Sequence, residues 1–275
     1  MNFEKKSDIS RQLTEARLFK KPLAQWSQSS LVMSRSEAYQ IQELGIQHRL
    51  RQSELRIGYK MGLTSEGKRK QMNLDSPLYG ELTNKMQIQN EAIFDIQGLI
   101  HPKIEPEVAF KIKKTLAGKI EYDTALEAIS EICATMEILD SRYTQFKYFS
   151  MEDVIADNSS SSHFICGPWL AFDSAQQLKN TRLEMFVDQH LVQSGQAQEI
   201  SGDPILSVVH LCHLLHENGR QLEAGSIVLA GAATAAVELK PNQTIELKIT
   251  TPAPTATAPT QTWPLVKVHI QGSST

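Results

Sequence analysis

Two carboxylates spaced two positions apart are the residues of this chain best suited to chemistry. Glu105 and Glu107 lie in residues 101–113, a segment in which polar and apolar residues alternate. Side chains on a strand alternate between two faces with a rise of about 3.3 Å per residue, so both carboxylates would lie on one face, close enough to share an ion. The other face would be apolar and buried, with Ile104, Val108, Phe110 and Ile112. The segment therefore predicts a strand that carries half of a site for a hard cation.

A third carboxylate, Glu137, lies in a second strand-like segment, where it alternates with Met136 and Ile138. An all-oxygen set of ligands suits Mg²⁺ or Mn²⁺ rather than zinc, and without a cation three clustered carboxylates would raise each other's pKa. A Glu-x-Glu pair alone is more often an exposed strand face. Pro106 lies between the two glutamates. Because proline has no backbone N–H to donate to a neighbouring strand, it marks the edge of a sheet or another special position. Together the two segments predict a metal site.

Lys60 lies where a predicted strand meets a glycine-containing turn, between Tyr59 and Met61. Glycines permit close backbone approach, and partial burial in such a setting lowers the pKa of an ammonium. Most lysines at strand ends are solvated, so the residues alone leave a functional role for Lys60 open.

A polar segment, residues 157–163, separates two apolar runs. Its hydroxyl and amide side chains suit either a surface linker or a loop that cradles an anion or an oxo group. Sequence periodicity does not choose between these two interpretations.

The composition is that of an ordinary globular protein. The chain has 275 residues, 41% of them hydrophobic, which is enough for one large domain or for a small and a large one. Its formal net charge of -3 provides no basic field for nucleic acid or an anionic membrane, so neither is expected as a partner.

The three cysteines predict reduced thiols, because Cys133, Cys166 and Cys212 are far apart and lie in apolar surroundings. No apolar signal segment is seen, and the longest apolar run, residues 227–237, is too short for a membrane span, so a cytoplasmic location is expected.

Helical and strand-like periods divide the chain into two parts and predict the α+β class. Residues 1–54 are expected to form a helical N-terminal subdomain, in which Ser34 and Glu37 have the pattern of a capping box. Residues 55–275 are expected to form a β-rich catalytic domain with a proline-rich loop at 251–262. Strands are predicted at 55–60, 181–192, 226–231, 243–250 and 264–270, helices at 123–132 and 203–218, and a short helix after Thr64 or Ser65.

Common catalytic signatures are absent from the sequence, which contains no dinucleotide-binding glycine fingerprint, P-loop or serine nucleophile elbow. His210, His213 and His216 drift around a predicted helix instead of taking the i, i+4 spacing of helical zinc pairs, so no zinc site is predicted there.

Six segments occur in a fixed order along the chain: 58–65 (GYKMGLTS), 77–80 (PLYG), 105–110 (EPEVAF), 136–142 (MEILDSR), 157–160 (DNSS) and 228–231 (VLAG). This ordered set resembles the 2-keto-4-pentenoate hydratase and 4-oxalocrotonate decarboxylase family, within the fumarylacetoacetate hydrolase superfamily, over roughly residues 10–250. The resemblance implies a mixed β-sandwich roll. It also implies an ion, Mg²⁺ or Mn²⁺, held by Glu105, Glu107 and Glu137, catalysis by Lys60, and substrate contacts from Leu78, Tyr79 and Ser160.

Leu78 bears on which branch of this family the chain resembles. Hydratases of the family typically carry Pro-Asp-Tyr-Gly where this chain has Leu78 after Pro77, and residues 140–147 and 231–236 also look more like the decarboxylase branch. The resemblance therefore implies metal-dependent decarboxylation of 2-oxo-3-hexenedioate (4-oxalocrotonate) to 2-hydroxypenta-2,4-dienoate, in meta-cleavage catabolism of aromatic compounds. The substrate would be a small 2-oxo dicarboxylic acid.

Two alternatives stay open. One is a hydratase that adds water to 2-hydroxypenta-2,4-dienoate (2-keto-4-pentenoate). The other is a non-catalytic subunit that binds and stabilises such a hydratase, against which the retention of Lys60 and all three glutamates argues. The resemblance also implies a homo-oligomer and a complex with the pathway hydratase.

Overall fold

The computed structural model describes residues 1–29, 31–65, 69, 76–146, 150–173, 178–253 and 260–272. The helices are α1 (Phe3–Phe19), α2 (Arg35–Arg51), α3 (Tyr122–Ala128), α4 (Met151–Ala156) and α5 (Pro204–Glu217). The strands are β1 (Arg56–Gly62), β2 (Leu78–Thr83), β3 (Gln87–Ile88), β4 (Ile93–Asp95), β5 (Lys103–Ile112), β6 (Ile129–Leu139), β7 (Ser161–Cys166), β8 (Leu170–Ala171), β9 (Arg182–Val187), β10 (His190–Gln196), β11 (Ile227–Ala232), β12 (Val237–Glu238), β13 (Thr244–Thr251), β14 (Gln261–Thr262) and β15 (Val266–Gln271). The short helix predicted after Thr64 or Ser65 and the centre of the proline-rich loop lie outside the described residues.

The strands form two mixed sheets. A nine-stranded sheet has the order β2-β1-β11-β5-β6-β7-β3, with β12 added on β5 and β8 on β6. In this sheet β1 pairs in parallel with β11 and β3 with β7, whereas β5 and β6 are antiparallel to their neighbours. A six-stranded sheet has the order β10-β9-β13-β15-β4, with β14 on β13. The apolar faces of the two sheets pack against each other, so the α+β class and the mixed β-sandwich roll are confirmed.

The two faces of β5 have opposite characters, as its alternating sequence predicts. One face is buried in the core shared by both sheets and carries Ile104, Val108, Phe110 and Ile112. The other face carries the predicted carboxylates and a smaller apolar cluster, which consists of Leu82, Met86, Ala109, Cys133, Phe164, Cys166 and Leu229. All three cysteines of the chain are free and buried, as expected. The apolar face fixes the register that places the carboxylates.

Pro106 lies in the middle of the large sheet and not at an edge. β5 pairs with β6 on one side and with β11 and β12 on the other. The carbonyl of Pro106 accepts a hydrogen bond from the Ala233 N–H at 3.3 Å, so its donor-less nitrogen faces the interval between β11 and β12. The edge interpretation is therefore wrong, and Pro106 occupies a special position because the ladder is interrupted beside it.

The N-terminal helices pack on the same core as the sheets. The predicted capping box begins α2, since Ser34 Oγ accepts from the Glu37 N–H at 3.3 Å and a Glu37 carboxylate oxygen accepts from the Ser34 N–H at 2.9 Å. Ile9 and Ile41 belong to the apolar core that the sheets share. A subdomain boundary after residue 54 stays a prediction. Within the described ranges, none of the helices combines the length and the apolar character that a membrane crossing needs.

Most elements predicted after residue 54 are confirmed with small shifts, namely β1, β11, β13, β15 and α5. The helix predicted at 123–132 is wrong in its last four residues, because α3 ends at Ala128 and the segment that follows, with β-branched Ile129 and Ile132, enters β6. The single strand predicted at 181–192 is a hairpin of β9 and β10. Its turn has Asp188 and Gln189 at φ of 48° and 68°, a short-hairpin conformation that apolar alternation does not reveal.

Candidate metal centre and cavity

Strand pairing between β5 and β6 brings the three predicted carboxylates together. Glu105 lies directly opposite Glu137, and Glu107 lies opposite Thr135, in the antiparallel ladder. Directly paired residues project to the same face of a sheet, with Cβ atoms about 5 Å apart. One carboxylate oxygen from each of the three glutamates lies within 4.8 Å of the others. The convergence expected from the sequence is observed, and the assignment of these residues as metal ligands stays a prediction.

Burial makes these carboxylates unusual. Glu107 and Glu137 are both fully buried. Glu107 Oε2 accepts a hydrogen bond from the Gly231 N–H at 2.8 Å, whereas Glu107 Oε1 and Glu137 Oε1 have no hydrogen-bond partner among the described residues. Burial first, and then the charges of Glu137 and Glu105, raise the pKa of Glu107 well above its usual range, and burial also raises the pKa of Glu137.

The donor set fits a hard divalent cation. A buried carboxylate oxygen without a donor is costly, and buried charges in proteins are paired or coordinate metals. The atoms left without partners, Glu107 Oε1 and Glu137 Oε1, belong to the cluster whose oxygens converge. Carboxylate oxygens without nitrogen or sulfur ligands match the preference of Mg²⁺ and Mn²⁺.

Lys60 of β1 completes the cluster. Its Nζ is 2.9 Å from Glu137 Oε2, and its side chain is 3% exposed. Burial opposes the charge of the ammonium, but the attraction of Glu137, Glu105 and Glu107 outweighs it and raises the pKa of Lys60. The lowered pKa expected from the sequence is wrong, because that argument considered desolvation without the carboxylates across the sheet.

A cavity of about 330 Å³ opens beside the cluster. Its lining includes Lys60, Glu105, Leu78, Ser159, Lys103 and Phe146. Among the residues that the sequence proposed for substrate contact, Leu78 lies in the cavity wall and is 1% exposed. The other two, Tyr79 and Ser160, are absent from the lining that the structure describes.

Tyr79 points away from this cavity. Successive residues of β2 alternate between faces, so the side chains of Leu78 and Tyr79 lie on opposite sides. The Tyr79 ring stacks on Tyr39 with centroids 4.4 Å apart, meets the edge of Tyr59 at 5.8 Å, and lines a separate cleft beside α1 and α2. The Tyr79 ring therefore lies on the other side of β2 from this cavity, and the substrate contact expected of Tyr79 stays a prediction.

Ser159, one residue before the predicted Ser160, lines the cavity. Residues 158–160 have φ of 50°, 57° and 54°, a left-handed turn that costs about 1–2 kcal/mol for each residue other than glycine. A buried pair holds this turn, since Arg142 Nε binds Asp157 Oδ1 and the Arg142 guanidinium also donates to the Ser161 carbonyl at 3.1 Å. The linker interpretation of residues 157–163 is wrong, because the segment is a tight turn at the cavity and the start of β7.

Sequence reasoning missed the contributions of Lys103, Ser159 and Gly231. Lys103 precedes Glu105 by two positions on the same strand, so the period-two argument that grouped the carboxylates would also have found it. The Gly231 N–H reaches Glu107 from β11, which is more than a hundred residues away along the chain. No local pattern signals that contact.

Comparison with known proteins identifies the family. The family profile described as the C-terminal domain of fumarylacetoacetate (FAA) hydrolase matches residues 64–258. The chain belongs to the fumarylacetoacetate hydrolase family.

Within this family, a 4-oxalocrotonate decarboxylase from a Pseudomonas species is 38% identical over 88% of this chain and 93% of the relative. The 2-keto-4-pentenoate hydratase of Paraburkholderia xenovorans (strain LB400) is 26% identical over 90% of this chain and 93% of the relative. The solved structure of 4-oxalocrotonate decarboxylase from Pseudomonas putida G7, complexed with magnesium and adipate, is 28% identical, with a TM-score of 0.90 over 98% of both chains. The resemblance drawn from the motifs is confirmed.

Proposed function

We propose that this protein decarboxylates 2-oxo-3-hexenedioate to 2-hydroxypenta-2,4-dienoate with the help of Mg²⁺ or Mn²⁺, in meta-cleavage catabolism of aromatic compounds. The observation that carries the proposal is the buried carboxylate cluster that opens into a cavity walled by Leu78 instead of an acid. The greater identity to a decarboxylase than to a hydratase, 38% against 26%, supports the same branch.

Glu105, Glu107 and Glu137 would hold the cation. When bound, the cation withdraws electron density from a 2-oxo acid and so stabilises the negative charge that develops on its oxygen. Because all three ligands come from two paired strands, the side of the cluster that faces the cavity stays open to a substrate. The Gly231 N–H fixes the orientation of the Glu107 carboxylate.

Lys60 would supply the proton. In the reaction, the electron pair of the C5–C6 bond forms the C4–C5 double bond, the C3–C4 pair moves to C2–C3, and carbon dioxide leaves. The charge then rests on the 2-oxo oxygen, where one proton gives the 2-hydroxydienoate. Lys60 lines the cavity as a buried ammonium 2.9 Å from Glu137 Oε2, so it holds a proton beside the cluster that would pass to that oxygen.

Leu78 and Ser159 would shape the rest of the site. The apolar Leu78 side chain keeps the wall of the cavity free of groups that orient water, and it lowers the polarity around a departing carboxylate. Ser159 presents a hydroxyl on a turn that buried contacts hold in place, which suits hydrogen bonding to the substrate.

Product analysis tests the proposal directly. The protein is incubated with 2-oxo-3-hexenedioate and Mg²⁺ or Mn²⁺, and the products are analysed by mass spectrometry. We expect loss of carbon dioxide that depends on the added ion. Addition of water to 2-hydroxypenta-2,4-dienoate without decarboxylation would instead identify a hydratase, whose metal chemistry the same glutamates could support. If neither product forms, the result would favour the third interpretation, a non-catalytic partner of a hydratase.

Assembly and location belong to the same proposal. A homo-oligomer and a complex with the pathway hydratase follow from the family resemblance, and a cytoplasmic location agrees with the three free, buried cysteines. Light scattering of the purified protein, alone and mixed with that hydratase, measures the first two. A monomer that does not bind the hydratase would overturn them without affecting the proposed reaction.

A further inference from the structure

Lys103 extends the row of functional side chains along β5 toward the outer part of the cavity. Lys103, Glu105 and Glu107 alternate along one strand, and Lys103 lies opposite Leu139 where Glu105 lies opposite Glu137. Both Lys103 and Leu139 line the cavity. The cavity therefore has an acidic end at the carboxylates and a basic group one step of the ladder further out.

The Lys103 ammonium is held but not neutralised. Its Nζ lies 4.4 Å from the centroid of the Phe146 ring, an arrangement in which a cation is attracted to the ring face. Among the described residues no acidic side chain forms an ion pair with it, although the exposed Glu238 is its neighbour across β12. Contact with a ring orients the ammonium and leaves its donors available to an anion.

The other lysine of the described lining is committed elsewhere. Lys60 Nζ is 2.9 Å from Glu137 Oε2 and belongs to the acidic cluster. A diacid bound with one end at that cluster brings a second carboxylate into the cavity, where a cation is needed to match it. We propose that Lys103 binds the distal carboxylate of the substrate and so selects dicarboxylic over monocarboxylic 2-oxo acids. This inference rests on the proposed function.

The reach of a six-carbon diacid agrees with this placement. Residues two apart on a strand are separated by about 6.6 Å, which is the step from Glu105 to Lys103. An extended six-carbon chain with C–C bonds of about 1.5 Å spans roughly 6 Å between its terminal carbons. One end of the diacid therefore reaches the cation that the glutamates would hold when the other end lies beside Lys103.

Inhibitor selectivity is the property that this contact controls. A hydrogen-bonded charge pair contributes about 1.5–3 kcal/mol, which corresponds to roughly tenfold or more in affinity. In the presence of Mg²⁺ we expect adipate to bind the unaltered protein about tenfold tighter than hexanoate, which has the same chain length and one carboxylate. Isothermal titration calorimetry measures both affinities without any turnover.

Variants at Lys103 separate this role from a structural one. We expect Lys103→Met to bring the adipate-to-hexanoate ratio close to one while hexanoate affinity is kept, and Lys103→Arg to retain most of the preference. Turnover of the diacid by Lys103→Met should show a raised KM, with kcat kept or raised, because the distal carboxylate is the group that leaves and it loses its charge in the transition state. Lys103→Gln serves as a second neutral variant if the methionine variant does not fold.

Two matched controls make the test specific. Lys111 lies on the same strand, with its Nζ 4.4 Å from the centroid of the Trp169 ring. It is not part of the described lining of the cavity, so Lys111→Met should leave the ratio unchanged. Glu238→Gln should also leave the ratio unchanged or increase it, because Glu238 is the acid placed to compete for Lys103.

The outcomes distinguish this inference from the proposed function. Equal binding of adipate and hexanoate by the unaltered protein, or an unchanged ratio in Lys103→Met and Lys103→Gln, overturns the role of Lys103 even where carbon dioxide is released. A ratio that depends on Lys103 in a protein that releases no carbon dioxide supports the diacid site and overturns only the proposed reaction.

Discussion

Leu78 shows how one side chain sets the polarity of the cavity. It is 1% exposed, and a Cβ added at Gly62 would lie 2.8 Å from its Cδ1, so the leucine fills the wall against β1. A polar side chain in this place would bring water and hydrogen-bonding groups next to the substrate. Under the proposed function, the identity of this residue would therefore affect which reaction the cluster of carboxylates supports.

Replacing Leu78 tests this effect. We expect Leu78→Asp to lower kcat for decarboxylation about a hundredfold, or ~2.7 kcal/mol in activation free energy, because an added carboxylate repels the dianionic substrate and raises the local polarity. Leu78→Asn has a similar shape without the charge and should lose less. Carbon dioxide release gives the rate, and absorbance of 2-hydroxypenta-2,4-dienoate reports any hydration. Full decarboxylation by Leu78→Asp, with no hydration gained, would contradict the role.

His163 of β7 makes the stability of the fold depend on pH. Burial, and then the charges of Arg49 and Arg17, lower the pKa of His163 to about 4. Its pKa in the unfolded chain is about 6.5, so the unfolded state binds more protons between these values. The contribution of neutral His163 is therefore complete above about pH 6.5 and is lost as the pH falls toward 4.

The slope of stability against pH measures this contribution. We expect the free energy of unfolding to fall by on the order of 3 kcal/mol from His163 between about pH 6.5 and 4, and His163→Phe to remove that part of the slope. The ring contact with Phe94, at a centroid distance of 4.7 Å, leaves room for an aromatic replacement. The same substitution at the exposed His190 is the control. An identical slope in His163→Phe and the unaltered protein would refute the assignment.

Individual site residues were predictable where strand period alone decides their side. Glu105 and Glu107 were grouped correctly because residues two apart on a strand share a face. Tyr79 and Ser160 lie outside the cavity lining that the structure describes, because a motif names positions and does not show which face of β2, or which residue of a left-handed turn, meets the cavity. The pKa of Lys60 was missed because its partner Glu137 lies on another strand.

At the scale of elements, Gln42 joins its own helix α2 to β2 and α4, two elements that contribute residues to the cavity wall. Its Nε2 donates to the Tyr79 carbonyl of β2 and to the Ile155 carbonyl of α4, both at 3.0 Å. Leu78 precedes the first of these acceptors, and the turn at 158–160 follows the second. Helix α2 thus supports both walls of the cavity through one buried amide.

Removing this amide should loosen the three elements together. We expect Gln42→Met to destabilise the protein by about 2 kcal/mol, because two buried carbonyls lose their donor while the volume of the side chain is kept. Activity should fall as well, since Leu78 and Ser159 are no longer held in place. Urea unfolding and steady-state kinetics measure the two effects. Gln40→Met, on the exposed face of the same helix, is the matched control and should match the unaltered protein. Equal unfolding midpoints for both variants would exclude the proposed support.

Elements were predictable where a local signal marks their ends. The capping box of Ser34 and Glu37 located the start of α2. The helix predicted at 203–218 matches α5, whose first turn is capped by the Asp203 side chain accepting from the Ile205 N–H. The change from α3 to β6 lacks such a signal, because residues 119–139, which include the junction of Ala128 and Ile129, contain no glycine or proline. Tertiary pairing of β6 with β5 decides that boundary, and a single sequence does not show it.

At the scale of the whole molecule, the fold forces acidic groups together. The pairing of β5 with β6 is fixed by the apolar core on their other face, so Glu105, Glu107 and Glu137 converge whether or not an ion is bound. A carboxyl group whose pKa is higher in the folded than in the unfolded state destabilises the fold above that unfolded pKa. Burial and the neighbouring glutamates raise the pKa of Glu107 in this way, so the ionised Glu107 carboxylate opposes folding of the metal-free protein at neutral pH.

Cation binding should therefore raise global stability, and the gain should depend on Glu107. A ligand at 100 times its Kd stabilises the folded state by about 2.7 kcal/mol, which corresponds to roughly 5–10 °C in Tm for a chain of this size. We expect Mg²⁺ to raise Tm by that amount and EDTA to reverse it.

Glu107→Gln should lose the shift. Even the loss of a residue that only hydrogen-bonds to a metal ligand weakens metal binding about 10–100-fold, and Glu107 is a proposed ligand itself. The metal-free Tm of Glu107→Gln should nevertheless exceed that of the unaltered protein, because a buried carboxylate has been removed. Glu131→Gln, on β6 but paired with Lys111, is the control that should keep the shift. An equal Mg²⁺ shift in Glu107→Gln would show that the ion binds elsewhere, and a lower metal-free Tm would show that the buried carboxylates do not oppose folding.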